Sequence, residues 1–135
     1  MPRFRKDGSK VINSRAKGAE FERKVANLLK GRGFIARRGV QFNGKWTADV
    51  ETENFPYHIE CKNVQSLNLF DALAQSEKDC PKGKIPIVVH TKVRKKILVS
   101  LEFHDFINLL QWGIGILDSL NGLELSGYLT DGDLL

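Results

Sequence analysis

Apolar residues recur at helical spacing in three segments of the chain. Between Gly18 and Arg32 they follow one another at intervals of four, three and one positions, at Phe21, Val25, Leu28 and Leu29. This spacing places them on one face of a helix, which Gly31 and Gly33 are expected to end. Similar patterns predict a second helix over residues 69–80, stopped by "PKGK", and a third over about residues 104–112.

Runs of β-branched and aromatic residues predict strands over residues 34–38, 47–51, 57–63, 85–91 and 97–103. The second and third runs flank "TENFP", which suits a turn, so they are expected to form an antiparallel hairpin. The run 85–91 is apolar throughout, which is typical of a buried central strand. The order of elements predicts an α/β fold, with a mixed central β-sheet flanked by helices.

The two ends of the chain differ from its middle. Residues 1–17 carry six lysines and arginines and few apolar groups, so they are expected to form a flexible basic arm ahead of a single domain over residues 18–135. Residues 112–135 contain no lysine or arginine. This C-terminal extension has two open interpretations: a layer packed on the domain's own sheet, or part of a twofold dimer interface. The residues considered for that interface are Trp112, Ile114, Ile116, Leu117 and Leu120.

The charge of the chain is unevenly distributed. All 21 lysines and arginines lie at or before Lys96, with 10 of the 16 acids, so residues 1–96 carry about +11 and the remainder about −6. A basic body of this kind favours a polyanionic partner, of which nucleic acid is the obvious one. A solvated basic surface is the alternative.

Cysteine usage and hydropathy bear on the compartment. Cys61 and Cys80 are too few for a disulfide framework and show no zinc-ligand spacing with a histidine. The basic start lacks the apolar segment of a signal peptide, and no apolar run is long enough to span a membrane. We therefore expect an intracellular, cytoplasmic protein in a reducing compartment, with no membrane partner.

The stretch "IECKN", residues 59–63, carries candidate chemistry. In a strand Glu60 and Lys62 point to the same face, and Asp49 lies on the preceding strand of the predicted hairpin. Pairing across the turn can bring the Cβ atoms of Asp49 and Glu60 within ~8 Å. Two carboxylates can hold Mg²⁺ for phosphodiester cleavage while Lys62 positions or deprotonates the attacking water. The alternative is a solvated strand with an incidental ion pair.

The first helix supplies a third carboxylate. Glu22 lies at the border of the apolar stripe and can face the sheet, whereas Glu20 points about 160° away from that stripe. Arg23 lies on the same flank as Glu22. A surface glutamate beside an arginine is the competing interpretation.

Other polar residues are candidate contacts of nucleic acid. The loop from Gly39 to Trp46 holds Lys45 and follows Arg37 and Arg38, so it is a candidate DNA-contacting segment. His58 either contacts phosphate or lies at the rim of the hairpin.

Three segments together resemble the archaeal-type Holliday junction resolvases of the PD-(D/E)xK nuclease superfamily. They are "KGAEFERKVANLLKGRGFIARR" (17–38), "ADVE" and "IECK", and the resemblance covers roughly residues 15–65. Ala48 stands where the superfamily has a nominal proline, and the match fades beyond residue 65. The resemblance implies a restriction-endonuclease-like fold and an enzyme that cuts four-way DNA junctions symmetrically as a homodimer.

The resemblance also implies roles for individual residues. It places the metal-site carboxylates at Asp49 and Glu60, with Glu22 on the helix, and the catalytic lysine at Lys62. The backbone carbonyl of Cys61 would complete the shell of Mg²⁺, for which Mn²⁺ is expected to substitute. Arg23 and Arg38 match the arginines that the family uses on the DNA backbone. Gln75 resembles a glutamine that several superfamily members place near the site, with solvated surface as the alternative. Together with Arg37 and Lys45, these residues are the candidate DNA contacts.

Two rival functions stay open at this stage. One is a PD-(D/E)xK nuclease of another purpose, restriction-like or acting on flaps. The other is a branched-DNA-binding protein without catalysis. No small-molecule cofactor is expected in any of these cases, and the sequence does not distinguish a cellular recombination enzyme from a virus-encoded one.

Overall fold

The computed structural model describes residues 6–8, 13–39, 41–42, 45–46 and 48–121. The chain divides into two units, residues 1–101 and 102–135. The prediction of a single domain over residues 18–135, with residues 112–135 as a C-terminal extension, stays a prediction.

The first helix, α1, spans Ser14–Lys30 and begins four residues before its predicted start. The side chain of Asn13 accepts a hydrogen bond from the backbone N–H of Ala16 at 3.1 Å, which caps the helix start. Residues 14–17 therefore belong to α1 and not to a flexible arm. Residues 6–8 form a turn, and the rest of the predicted arm lies outside the described residues.

Five strands form the central sheet of the first unit, and α2 connects two of them. They are β1 (Ile35–Arg38), β4 (Val50–Glu53), β5 (Tyr57–Asn63), β6 (Ile85–Thr91) and β7 (Leu98–Ser100), in the spatial order β1-β4-β5-β6-β7. The β5–β6 pair is parallel and the other three pairs are antiparallel. The helix α2, Leu69–Asp79, supplies the crossover that a parallel pair requires. The predicted mixed sheet flanked by helices is confirmed.

Two short strands replace part of the predicted loop over residues 39–46. Strand β2 (Gln41–Phe42) pairs with β3 (Lys45–Trp46) in a separate two-stranded sheet. The sequence Asn43-Gly44 separates them, a dipeptide that favours tight hairpin turns. Two-residue strands carry no readable periodicity, which is why the sequence pattern predicted only a loop.

The core of the first unit lies between α1 and one face of the sheet. Its buried members are Phe21, Val25, Ala26, Ala36, Val50, Ile59, Ile87 and Val89. Leu28, predicted on the same helix face, is instead 55% exposed. Because strand side chains alternate, Ile59 in this core means that Glu60 points to the opposite face. On that opposite face α2 packs through buried Ala72 and Ser76.

The second unit contains one described helix, α3, over Phe103–Asn121. It is longer than the predicted helix of residues 104–112, and β7 is correspondingly shorter than the predicted strand of residues 97–103. None of the described α3 residues is buried, and large apolar side chains are exposed along its length: Phe103, Phe106, Leu110, Trp112, Ile114, Ile116, Leu117 and Leu120. Among the helices of the described ranges, none combines the length and hydropathy needed to cross a membrane.

Candidate active site

The β4–β5 hairpin brings Asp49 and Glu60 together. Val50 pairs with Ile59, and the backbone N–H of Asp49 donates to the carbonyl of Ile59 at 3.1 Å. This hydrogen bond places Asp49, directly before β4, beside the end of Ile59 that leads to Glu60, where side chains on neighbouring strands can meet. The charge of Asp49 raises the pKa of Glu60, and Glu60 in turn affects the pKa of Asp49, so the two carboxyl groups are close enough to interact.

Asp49 is half-buried directly before β4. Burial raises the pKa of its carboxyl group above the usual value, and the negative charge of Glu22 raises that pKa further. The backbone N–H of Cys61 donates to Asp49 Oδ2 at 2.7 Å, which opposes the shift by stabilising the charged form. The carboxylate of Asp49 therefore has a hydrogen-bond donor fixed by β5, and it lies near two other acids, Glu22 and Glu60.

Glu60 is buried more completely, with 6% of its surface exposed. Burial raises its pKa from 4.5 to about 7, and the charge of Asp49 adds to this effect. Lys62 acts in the opposite direction, because its ammonium group favours the charged carboxylate. Both acids therefore bind a proton more readily than an exposed carboxyl group would, and a divalent cation would compete with that proton.

Lys62 lies between strand β5 and helix α2. Its Nζ is 3.4 Å from Glu60 Oε1 and donates a hydrogen bond to Gln75 Oε1 at 3.1 Å. Gln75 comes from the middle of α2, so this contact ties the helix to the strand at the site. Gln75 is exposed on the surface of α2, and its side chain contacts the site lysine.

Glu22 reaches the same neighbourhood from α1. Its Oε2 accepts a hydrogen bond from Arg38 Nε at 2.6 Å, in an ion pair whose side chains are 18% and 36% exposed respectively. The charge of Glu22 also raises the pKa of Asp49 and of the Cys61 thiol. Glu22 is thus electrostatically part of the acidic cluster, and Arg38 holds its carboxylate.

Cys61 directs its thiol away from the acids. The side chain packs against the α1 core, and burial raises the pKa of the thiol well above its usual range. Its N–H points toward Asp49, and in a strand the N–H and C=O of one residue face the same neighbour. The Cys61 carbonyl therefore faces β4 as well, on the side of the carboxylates.

The donor atoms suit a hard divalent cation. Two carboxylates and one backbone carbonyl are oxygen ligands, which Mg²⁺ prefers, and Mg²⁺ keeps several waters of its own. No group of three or more histidine, cysteine, aspartate or glutamate side chains in the described ranges is arranged as a metal cluster. The fit thus depends on Asp49, Glu60 and the main chain at Cys61, and not on a cage of side chains.

The remaining predicted contacts are more scattered. Arg23 is exposed on α1, and Arg37 forms an ion pair with Glu51 at 2.9 Å while 77% of its side chain stays exposed. Lys45 lies in β3, and its side chain is outside the described part of the chain. His58 does not lie at a rim: it is 4% exposed, burial lowers its pKa, and its Nε2 has no hydrogen-bond partner.

One residue that sequence reasoning did not select supports the site through its backbone. Gly39 follows β1, and its N–H donates to the carbonyl of Asp49 at 2.8 Å. A Cβ atom at this position would collide with the carbonyl group of Ala48. The close approach therefore requires glycine. A glycine directly after a strand that ends in arginine was the only signal available in the sequence.

Family models, curated proteins and solved structures were compared with the chain, and none matches. The site itself brings together a buried acid and a half-buried one, a third acid held by an arginine, and a lysine held by a glutamine.

Proposed function

We propose that the protein is a Mg²⁺-dependent, structure-specific endodeoxyribonuclease with a PD-(D/E)xK fold. It would resolve four-way DNA junctions by paired, symmetric phosphodiester cleavage. The observation that carries the proposal is the grouping of three side chains on the β4–β5 hairpin: the charge of Asp49 raises the pKa of Glu60, and Lys62 Nζ lies 3.4 Å from Glu60 Oε1. The resemblance of residues 15–65 to junction resolvases points the same way.

The carboxylates of Asp49 and Glu60 and the carbonyl of Cys61 would hold the metal ion, with Glu22 adding negative charge nearby. The ion would supply charge neutralisation at the phosphate and a lowered pKa for a bound water. Mn²⁺ accepts the same oxygen ligands and should support activity.

Lys62 would act on the water or the phosphate. Its ammonium group is restrained by Glu60 and Gln75, so its direction is set before substrate arrives. In hydrolysis, water attacks phosphorus, the bond to one bridging oxygen breaks, and a proton passes to the leaving oxygen. A lysine fixed beside two acids can orient that water and stabilise the added negative charge.

DNA would be recognised mainly through its phosphates and its branched shape. Arg23 and Arg37 are exposed, and with Arg38, Lys45 and Gln75 they are the candidates for backbone contacts. Such contacts position a duplex without reading base edges. Resolving a junction requires two cuts, so two copies of the site would act together in a homodimer.

The direct test compares a synthetic four-way junction with a linear duplex of the same sequence, each with Mg²⁺. We expect paired, symmetric nicks in the junction and little cutting of the duplex. Glu60→Gln should abolish cutting and keep junction affinity within about threefold, since one carboxylate ligand is lost. Glu53→Gln removes a carboxylate from the exposed end of β4 and should cut normally. Equal cutting of both substrates would refute the resolvase assignment.

The same assay separates the two rival functions. Unpaired nicks at flaps or in linear DNA would indicate a nuclease of another purpose. Tight binding to the junction without cutting, in Mg²⁺ and in Mn²⁺, would indicate a branched-DNA-binding protein.

A further inference from the structure

The loop between β6 and β7 contains four cationic side chains and no acidic one. Lys92, Arg94, Lys95 and Lys96 are all exposed, and the sequence has no acidic residue between Asp79 and Glu102. Within the described ranges, the ion pairs of the protein involve Arg37, Arg38 and Lys62 and none of these four cations. A compact group of unneutralised cations is costly to assemble and favours an anionic partner.

The backbone of this loop is fixed by two side chains. Thr91 Oγ1 lies within hydrogen-bonding distance of three loop carbonyls, those of Lys92 (3.3 Å), Lys95 (3.0 Å) and Lys96 (3.1 Å). Gln65, from the connection that precedes α2, accepts a hydrogen bond from the N–H of Val93 at 2.9 Å. The cations are therefore presented on a preformed turn.

Arg94 occupies an unusual place in that turn. Its φ of 59° lies in the left-handed region, which favours glycine. An arginine here carries a backbone cost that a glycine would avoid. Backbone strain of this kind is found preferentially at functional sites.

The loop emerges at the same end of the sheet as the candidate active site. In the parallel β5–β6 pair, Lys62 lies opposite His90 and Asn63 opposite Thr91. Neighbouring strands are about 4.8 Å apart, so the loop starts beside the residue that follows Lys62. Lys92, Lys95 and Lys96 border a cavity of 450 Å³ at this edge.

We propose that the β6–β7 loop is a phosphate-binding site in addition to the candidate active site. It binds the DNA backbone next to the phosphodiester that is cut. The inference rests on the proposed nuclease function, because it takes DNA as the anion. A duplex carries one charge per about 1.7 Å of axis, so a strand entering the site must pass other phosphates close by. A fixed group of cations beside Lys62 meets that need.

The test measures binding of a fluorescent four-way junction in EDTA, so that cleavage does not enter. The loop variant is K92Q/K95Q/K96Q. The control, K30Q/K78Q/K82Q, removes the same charge from exposed lysines at the opposite end of the sheet: the end of α1, the end of α2 and the turn before β6. Thermal unfolding of both variants checks that they fold.

We expect the loop variant to bind the junction at least about tenfold more weakly than the wild type at 0.1 M salt. The slope of log affinity against log salt concentration should decrease in magnitude by up to about 3. The control should change affinity by less than about threefold. Thr91→Val keeps every cation, so it should leave the salt slope unchanged while weakening binding by about threefold.

Each other outcome overturns a defined claim. Unchanged affinity in the loop variant, or an equal loss in the control, overturns the loop site and leaves the nuclease proposal to the cleavage assay. Polyglutamate serves as a probe for an acidic protein partner. If the loop variant keeps full DNA affinity but no longer binds polyglutamate, the loop binds an acidic protein instead, and the proposed phosphate site is overturned. Failure of the wild type to bind any DNA overturns both proposals.

Discussion

Arg38 Nε donates to Glu22 Oε2 at 2.6 Å, which joins the last residue of β1 to the third turn of α1. Because Glu22 also raises the pKa of Asp49, this ion pair sets how much negative charge surrounds the candidate metal site. Arg38 therefore has a positioning role available to it that does not involve DNA.

A double-mutant cycle separates the two roles of Arg38. If it acts by holding Glu22, then Arg38→Ala and Glu22→Gln combined should cut no more slowly than the worse single variant, a coupling of about 1 kcal/mol or more. Single-turnover cleavage of the junction measures this. Additive losses, with a flatter salt dependence of binding for Arg38→Ala, would instead indicate a phosphate contact. The pair Arg37 and Glu51, at 2.9 Å, provides the control cycle.

Glu60 predicts an unusual pH dependence of stability in metal-free protein. Its pKa is raised from 4.5 to about 7, so between these values the native state binds more protons than the unfolded state. The free energy of unfolding should therefore fall as pH rises from about 4.5 through about 7, by about 1–3 kcal/mol. Urea unfolding in EDTA at pH 5 and pH 8 measures the fall. Glu60→Gln should flatten it and raise stability at pH 8, whereas a fall of the same size in that variant would contradict the assignment.

Gln75 should matter through Lys62. Its Oε1 accepts from Lys62 Nζ at 3.1 Å, so Gln75→Ala removes one of the two groups that direct the ammonium. We expect kcat to drop by about tenfold with little change in KM, because a misdirected catalytic group slows the chemical step. Steady-state cleavage of the junction measures both constants. Glu77→Ala, on an exposed position of α2, is the matched control, and an equal drop there would point to a general effect on the helix.

Gly39 should tolerate no side chain. Its N–H donates to the Asp49 carbonyl at 2.8 Å, and a Cβ would collide with the Ala48 carbonyl group. Gly39→Ala must push the segment before β4 away, so we expect a loss of about 1–3 kcal/mol in stability and at least about tenfold in cleavage. Gly18→Ala has open space in α1 and should instead stabilise by about 0.5–1 kcal/mol. Chemical unfolding measures the free energy of unfolding of both variants. A Gly39→Ala variant with unchanged stability would contradict the prediction, because the segment before β4 would then accommodate a Cβ atom.

Elements with a clear period were predictable, and contacts between elements were not. Strands β5 and β6 and helix α2 lie within one residue of their predicted bounds, because alternation and helical spacing fix them locally. The start of α1 was missed, since Asn13 caps a first turn that has no apolar face. The hairpin assigned from the sequence also predicted that Asp49 lies near Glu60. The partners of Lys62 and Glu22 depend on how helices pack on the sheet, which no local pattern specifies.

The helix α3 makes a separate prediction about oligomeric state. Trp112 and Leu120 are 64% and 75% exposed, and burying such side chains is worth about 1.5–3 kcal/mol each. If they contribute to a homodimer, Trp112→Asp with Leu120→Asp should convert the protein to a monomer of 15.2 kDa in sedimentation equilibrium. Because a junction needs two sites, that variant should make single nicks and lose paired cuts. Asn108→Asp with Gln111→Asp places the same charge on already polar, exposed positions of α3 and should remain dimeric. A wild-type protein that sediments as a monomer while still making paired cuts would show that α3 has no part in holding two sites together.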